Sequence, residues 1–183
     1  MREFERRSFL ELAVAALPLS ALSQAQTEPP PGVLVSASQD RYAKTRHIPT
    51  GSSSFKVASQ DTRGGLFVME HSNDKKGGPP LHLHHYEDEW FYVIEGEYLI
   101  QVGTQRHRLK AGDSVLGPRE IAHAWAFVGN SPGRMLICYA PAGRMEAFFE
   151  GREKRGGDTT YSSDAALYQA WGMELLGPPL PVD

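Results

Sequence analysis

The sequence predicts an all-β barrel or sandwich followed by short C-terminal helices. From about residue 54 to residue 140, apolar and polar residues alternate in short runs separated by turn formers. The chain holds 18 glycines and 13 prolines in 183 residues, a density that suits turn-rich β structure better than a helical bundle. No helical pattern of roughly 10–15 residues interrupts the runs, which argues against a parallel α/β sheet.

Composition narrows the field before any motif is considered. The chain is 40% hydrophobic and 22% charged, an ordinary balance that excludes wholesale disorder. Its formal net charge is −3, with no basic run, so no nucleic-acid partner is expected. Cys138 is the single cysteine. No intramolecular disulfide, zinc finger or iron–sulfur site can be built from it.

Taken in order, residues 1–25 read as a signal peptide. A charged start ends in Arg6-Arg7, no charge occurs from Leu12 to Thr27, and Ser23-Gln24-Ala25 offers small residues for cleavage. Arg6-Arg7 followed by Phe9-Leu10, with an alanine-rich and only moderately hydrophobic run, resembles the twin-arginine export signal. That resemblance implies a periplasmic or secreted protein; the alternative is an N-terminal amphipathic helix with a surface arginine pair. The apolar run is shorter than the roughly 20 residues a membrane span needs. No stable span is therefore expected after processing.

Residues 26–53 read as a polar, proline-rich leader and a first strand region. Residues 54–141 form the barrel. Strands are expected at 54–59, 66–71, 81–85, 89–94, 98–102, 105–109, 114–116, 123–128 and 135–140. The breakers between them include Gly64-Gly65, Glu95-Gly96, Gly103-Thr104 and Gly117-Pro118. Residues 142–183 form a helical extension, with helices at 144–150 and 164–176 separated by a solvated charged loop. Ser162 or Ser163 is placed to cap the second helix. Within it Leu167, Ala170, Trp171 and Leu175, with polar Glu174 among them, make a stripe expected to pack on the barrel.

The chemistry concentrates in GGPPLHLHHYEDEWFYVIEG, residues 77–96. Alternation puts His82 and His84 on one strand face, with Leu83 and His85 on the other. A bend through Tyr86–Asp88 returns Glu89 to the histidine face. Glu89, Phe91 and Val93 then point inward, and Trp90, Tyr92 and Ile94 outward. A carboxylate aimed into an apolar barrel is costly unless a partner or a cation meets it. His123, in His123-Ala124-Trp125-Ala126-Phe127, shares a face with two aromatics and is the candidate fourth donor. Glu87 is the only rival to Glu89; with Asp88 it is otherwise solvated or bonded to a ligand from outside. His85 falls out of phase, and His47, His71 and His107 read as surface or strand residues. Cys138 reads as small core filling.

Two spacings carry a resemblance. Gly78-(x)3-His82-x-His84-(x)4-Glu89-(x)6-Gly96 resembles the first motif of the cupin superfamily, and Gly112-(x)5-Pro118-(x)4-His123 resembles its second. The 15 residues between Gly96 and Gly112 match the separation usual in small microbial cupins. The sequence departs from the pattern in the glycine before the histidines, in Glu120 where glycine is usual, and in Phe127 where asparagine is usual. The resemblance implies a jelly-roll β-barrel holding one divalent transition metal (Fe, Mn, Ni, Co, Cu or Zn) on His82, His84, Glu89 and His123. Such a ligand set leaves coordination positions open.

Three functions remain open at this level. The first is a metal-dependent dioxygenase acting on an aromatic or enol-type small molecule with dioxygen, Glu89 being both ligand and proton acceptor. Phe91, Tyr98, Trp125 and Phe127 are expected to line its substrate pocket, with Met69 nearby. The segments 141–149 and 171–180 resemble the tails of quercetin-dioxygenase-like single-domain cupins. The second is a metal-dependent isomerase or lyase on a sugar or keto acid, and the third a non-catalytic module holding a small ligand or metal. Trp90, Tyr92 and Ile94 suit contact with a second copy in a homodimer; cover by another sheet or by the C-terminal helices is the alternative.

Overall fold

A computed structural model describes residues 32–154 and 165–182. The expected signal peptide with Arg6 and Arg7, the leader up to residue 31, and the helix cap at Ser162 or Ser163 lie outside the described residues. Eleven strands and two helices follow in order among those described: β1 (Arg46–Ile48), β2 (Gly51–Val57), β3 (Phe67–Asn73), β4 (Pro80–His84), β5 (Asp88–Glu95), β6 (Glu97–Val102), β7 (Gln105–Lys110), β8 (Ser114–Gly117), β9 (His123–Phe127), β10 (Gly133–Ala140), α1 (Met145–Lys154), α2 (Ala165–Ala170) and β11 (Met173–Pro179). No described helix is long and apolar enough to cross a membrane.

The strands form two antiparallel sheets, a six-stranded one in the order β1-β2-β3-β10-β5-β8 and a five-stranded one in the order β11-β4-β9-β6-β7. The expected all-β jelly roll is what the chain adopts. Alternation sets the inner faces: in β5 the buried residues are Glu89, Phe91 and Val93, and in β10 they are Met135, Ile137 and Tyr139. One core cluster joins these to Phe55, Phe67, Met69, Tyr98, Ile100, Trp125 and Phe127. On the outer face of β5, Trp90 is 37% exposed and stacks on Tyr92 at 5.7 Å. Cys138 faces the same way, paired with Trp90 and Val68, and is half-buried. It does not fill the core.

Two glycine-dependent approaches shape the barrel. A side chain on Gly78 would overlap the Trp125 carbonyl, so the first motif's glycine is what lets the chain entering β4 lie against β9. Gly133 makes room for the Phe127 ring. Phe127 thus occupies the position usual for asparagine as a core residue, packed on Tyr98 at 5.4 Å.

The C-terminal segment departs from the sequence expectation. The second helix stops at Ala170, and Met173–Pro179 is a strand, β11. Gly172, at φ +79°, is the left-handed residue that ends the helix, and its neighbours then pair with β4: Met173 with His84 and Leu175 with His82. The residue α2 buries is Tyr168, while Leu167, Trp171 and Leu175 pack at the core's edge and Ala170 is exposed. The N-terminal strand β1 lies within residues 26–53, where a first strand region was expected. It is anchored by a buried Arg46–Asp40 ion pair, with the Arg46 guanidinium 3.7 Å over the Phe55 ring.

Candidate metal centre

His82 and His84 project inward from β4, His123 from β9 and Glu89 from β5, so both sheets contribute. One donor atom from each lies within 4.8 Å of the others, and all four residues are buried. His82 and His123 are direct partners across the β4–β9 ladder, with ring centroids 4.9 Å apart. Glu89 returns to this face because Asp88 is tied down. The Arg119 backbone N–H and guanidinium donate to its carboxylate at 2.9 to 3.1 Å and hold its pKa down to about 2. The turn of the second motif therefore fixes the bend of the first.

The proton inventory fits a cation. His82 Nδ1 donates to the Pro80 carbonyl at 2.7 Å, and His123 Nδ1 to the Ile121 carbonyl at 2.9 Å. In those tautomers both Nε2 lone pairs are free for an ion. His84 presents Nε2 to Glu89 Oε2 at 3.2 Å, and His123 Nε2 lies 2.8 Å from the same oxygen. Nitrogen lone pairs and a carboxylate cannot converge in a buried space without a proton or a cation between them. The residues present fit a divalent transition metal of the imidazole–carboxylate type.

Burial alone would raise the Glu89 pKa, but the His123 and His84 rings beside it hold it well below the usual carboxylate range. Burial pushes His82 down to about 3, with His123 and His84 adding to the effect. Burial also disfavours charge on His84, yet Glu87 and Glu89 outweigh it and push its pKa up to about 9.

A cavity of ≈ 40 Å³ is bordered by His82, His84 and Glu89. His71, Trp125, Ile137 and Tyr139 line it from the barrel, and Met145, Phe148, Phe149, Tyr168 and Met173 from the C-terminal segment. Of the four aromatics expected at a substrate pocket, Trp125 borders this cavity. Phe91, Tyr98 and Phe127 stand outside its lining; Phe91 packs on His123 and Tyr98 donates to Asn73 at 2.8 Å. Met69 is core.

Several site residues were not singled out by the sequence. Tyr139 donates to Glu89 Oε1 at 2.9 Å, and it is the direct ladder partner of Glu89. Its alternation with Ile137 was visible, but the β5–β10 pairing that places it was not. Tyr168 lies 5.7 Å from the His82 ring, ring centre to ring centre. His71 lies buried in β3 against Trp125, at 5.2 Å. Glu87 is buried, not solvated, and sits outside the ligand ring with Oε2 3.5 Å from His84 Nδ1. His85 is half-buried beside Glu120, His47 is exposed and His107 is intermediate.

Comparison with known proteins agrees with this architecture. The family model of the cupin domain matches residues 71–139. Quercetin 2,3-dioxygenase of Bacillus subtilis is 29% identical over 94 residues, covering 51% of this chain and 27% of that protein. The structure of KdgF from Halomonas sp. superposes with a TM-score of 0.52 at 15% identity, over 61% of this chain and 94% of that one. An RmlC-like cupin from Shewanella frigidimarina gives 0.50 at 22% identity, over 61% and 93%. The chain spans about half or less of the length of the curated relatives it matches. Motif spacing, the two antiparallel sheets and the family model's match over residues 71–139 agree on a jelly roll similar to the cupin domain.

Proposed function

We propose that this cupin is a metal-dependent dioxygenase acting on a small enol-type or phenolic molecule, with His82, His84, Glu89 and His123 holding one divalent transition metal. The observation that carries the reading is a buried carboxylate opening onto an apolar, aromatic-lined cavity beside three imidazoles. A metal bound there would supply Lewis acidity toward a substrate oxygen and, if redox-active, a route to dioxygen. The distant likeness to a quercetin dioxygenase supports the same class.

The chain's own residues define what such a substrate must be. A carboxylate is a weak base, so the hydroxyl that Glu89 deprotonates would itself be acidic. Tyr139, donating to Oε1, orients the carboxylate and leaves Oε2 toward the imidazoles. Phe148, Phe149 and Met145 keep water from the carboxylate. A volume of ≈ 40 Å³ has room for an ion and a little water, far below the roughly 300 Å³ of an ordinary ligand pocket. A ring-sized substrate therefore enters only if the Phe148–Phe149–Tyr168 wall gives way, and the small end of the class is favoured.

Oxygen uptake with a panel of enols, catechols and flavonols tests the class, since neither an isomerase nor a binding module consumes dioxygen. Glu89→Gln at matched metal content is expected to lower turnover by about 100-fold, the range for removing a general base. Equal turnover would remove the proton-transfer role from Glu89.

A further inference from the structure

Glu87 joins the metal centre to the C-terminal segment. It is 1% exposed, although it lies at a bend between two strands. Its Oε1 accepts the backbone N–H of Arg144 at 3.3 Å, and its Oε2 stands 3.5 Å from Nδ1 of His84. The outer nitrogens of His82 and His123 have backbone carbonyls as acceptors; among the three imidazoles, His84 has a side chain in that place. The carboxylate fits there because residue 143 is glycine. A Cβ at Gly143, which has φ +52°, would fall on the Glu87 carboxylate. The next residue is fixed in turn. Arg144 donates to the Ala170 carbonyl at 2.7 Å and lies 4.7 Å over the Trp171 ring.

A buried carboxylate is costly unless it is used, and strand pairing does not require this one. We propose that Glu87 is a positioning residue for the metal centre. It accepts Nδ1–H of His84 when Nε2 holds an ion, and Gly143–Arg144 keep it in place for that task. The 3.5 Å separation is longer than a hydrogen bond, so a small approach of the two groups completes it. An acceptor on the outer nitrogen fixes the tautomer and ring orientation of a ligating histidine. Register on the ligand strand thereby becomes coupled to a segment almost 60 residues away, through one side chain. The inference rests on the metal-binding reading above.

Zinc(II) is a suitable probe because it is diamagnetic. Affinity can be measured by competition with a chromophoric chelator, and ring 15N–1H spectra of the zinc-loaded chain report each Nδ1–H. Glu87→Ala is expected to weaken zinc by roughly 10–100-fold, the range for outer partners of metal ligands. It should displace the His84 resonance and leave those of His82 and His123 in place. Glu87→Gln, whose amide oxygen still accepts, should recover most of the loss, and Glu120→Gln, the exposed carboxylate beside His85, should bind zinc as the natural chain does. If Glu87→Ala fails to fold, Gly143→Ala, which displaces the carboxylate without removing it, carries the same expectation. Zinc affinity within about twofold of the natural chain, or all three resonances shifting together, would overturn the proposal. If the natural chain itself bound no zinc, the metal reading would fall first, and this one with it.

Discussion

The ligands and the apolar wall of the same cavity are held in opposite ways. His82, His84, Glu89 and His123 stand on strands that are paired on both sides, and their polar atoms meet carbonyls, carboxylates or one another. The wall of Met145, Phe148, Phe149 and Tyr168 comes from two helices, the first of them tied by side-chain contacts to Tyr42, Lys44, Arg46 and Ser59. Glu146 accepts from the Tyr42 hydroxyl and the Ser59 backbone N–H, both at 2.7 Å, and burial together with Glu146 raises the Tyr42 pKa to about 12. Lys44 and Arg46 approach Glu150 at 3.3 and 3.5 Å. The difference separates two tasks. The ladder fixes the four donors, and the cavity wall beside them is clamped from outside.

The largest expected effect that would break this separation is on the clamp side. Asp40 and Arg46 form a buried ion pair, and Asp40 also accepts backbone N–H groups from Phe55 and Tyr42 at 2.8 Å. Asp40→Ala removes the buried carboxylate beside Arg46 and the acceptor of two backbone N–H groups, and is expected to cost about 3–5 kcal/mol in urea unfolding. Metal affinity of the folded fraction should be unchanged; a matching loss of affinity would show that the two regions are one unit. The effect has a pH signature. Burial opposes ionisation of Asp40, but Arg46 and the backbone donors outweigh it and lower the pKa. A lowered folded-state pKa gives stability that is present above about pH 4 and lost as pH falls through the folded value. The gap between the natural chain and Asp40→Ala should therefore hold from pH 7 to about 5 and close in stronger acid.

A smaller effect sharpens the ligand side. Glu120, where the family pattern has glycine, adopts φ +63° and donates its N–H to the His84 carbonyl at 2.8 Å. A non-glycine residue in the left-handed region costs roughly 1–2 kcal/mol, and glycine loses part of that through unfolded-state entropy. Glu120→Gly should therefore gain up to about 1 kcal/mol by urea midpoint and keep its metal. A loss of stability would mean that the exposed His85–Glu120 contact matters more than the backbone.

How far the sequence went follows the same division. Period-two alternation placed His82, His84, Glu89, Phe91 and Val93 on inner faces, and the structure keeps that register. These are local properties of single strands. What was not legible depends on pairing across long separations. Met173-Glu174-Leu175-Leu176 continues a helical pattern from Leu167, and only the left-handed Gly172 and the open edge of β4 turn it into a strand. Tyr139 has no reading of its own in the sequence, and the β5–β10 ladder sets it opposite Glu89. Glu87 reads as solvated, as bonded to a ligand from outside or as the rival to Glu89, and nothing near it in sequence announces Gly143 to decide between them. Phe91, Tyr98 and Phe127 were expected at the pocket because they share inner faces. The helices, not the strands, decide which inner aromatics meet the cavity.

The central claim is one transition-metal ion per chain, held by His123 together with His82, His84 and Glu89. Elemental analysis of the full chain purified from its own host, beside His123→Ala prepared identically, tests it most directly. The account predicts about one ion per natural chain and less than about a tenth of that in the variant, with both proteins folded. Full occupancy after loss of His123 would contradict it, as would a natural chain that carries no transition metal at all.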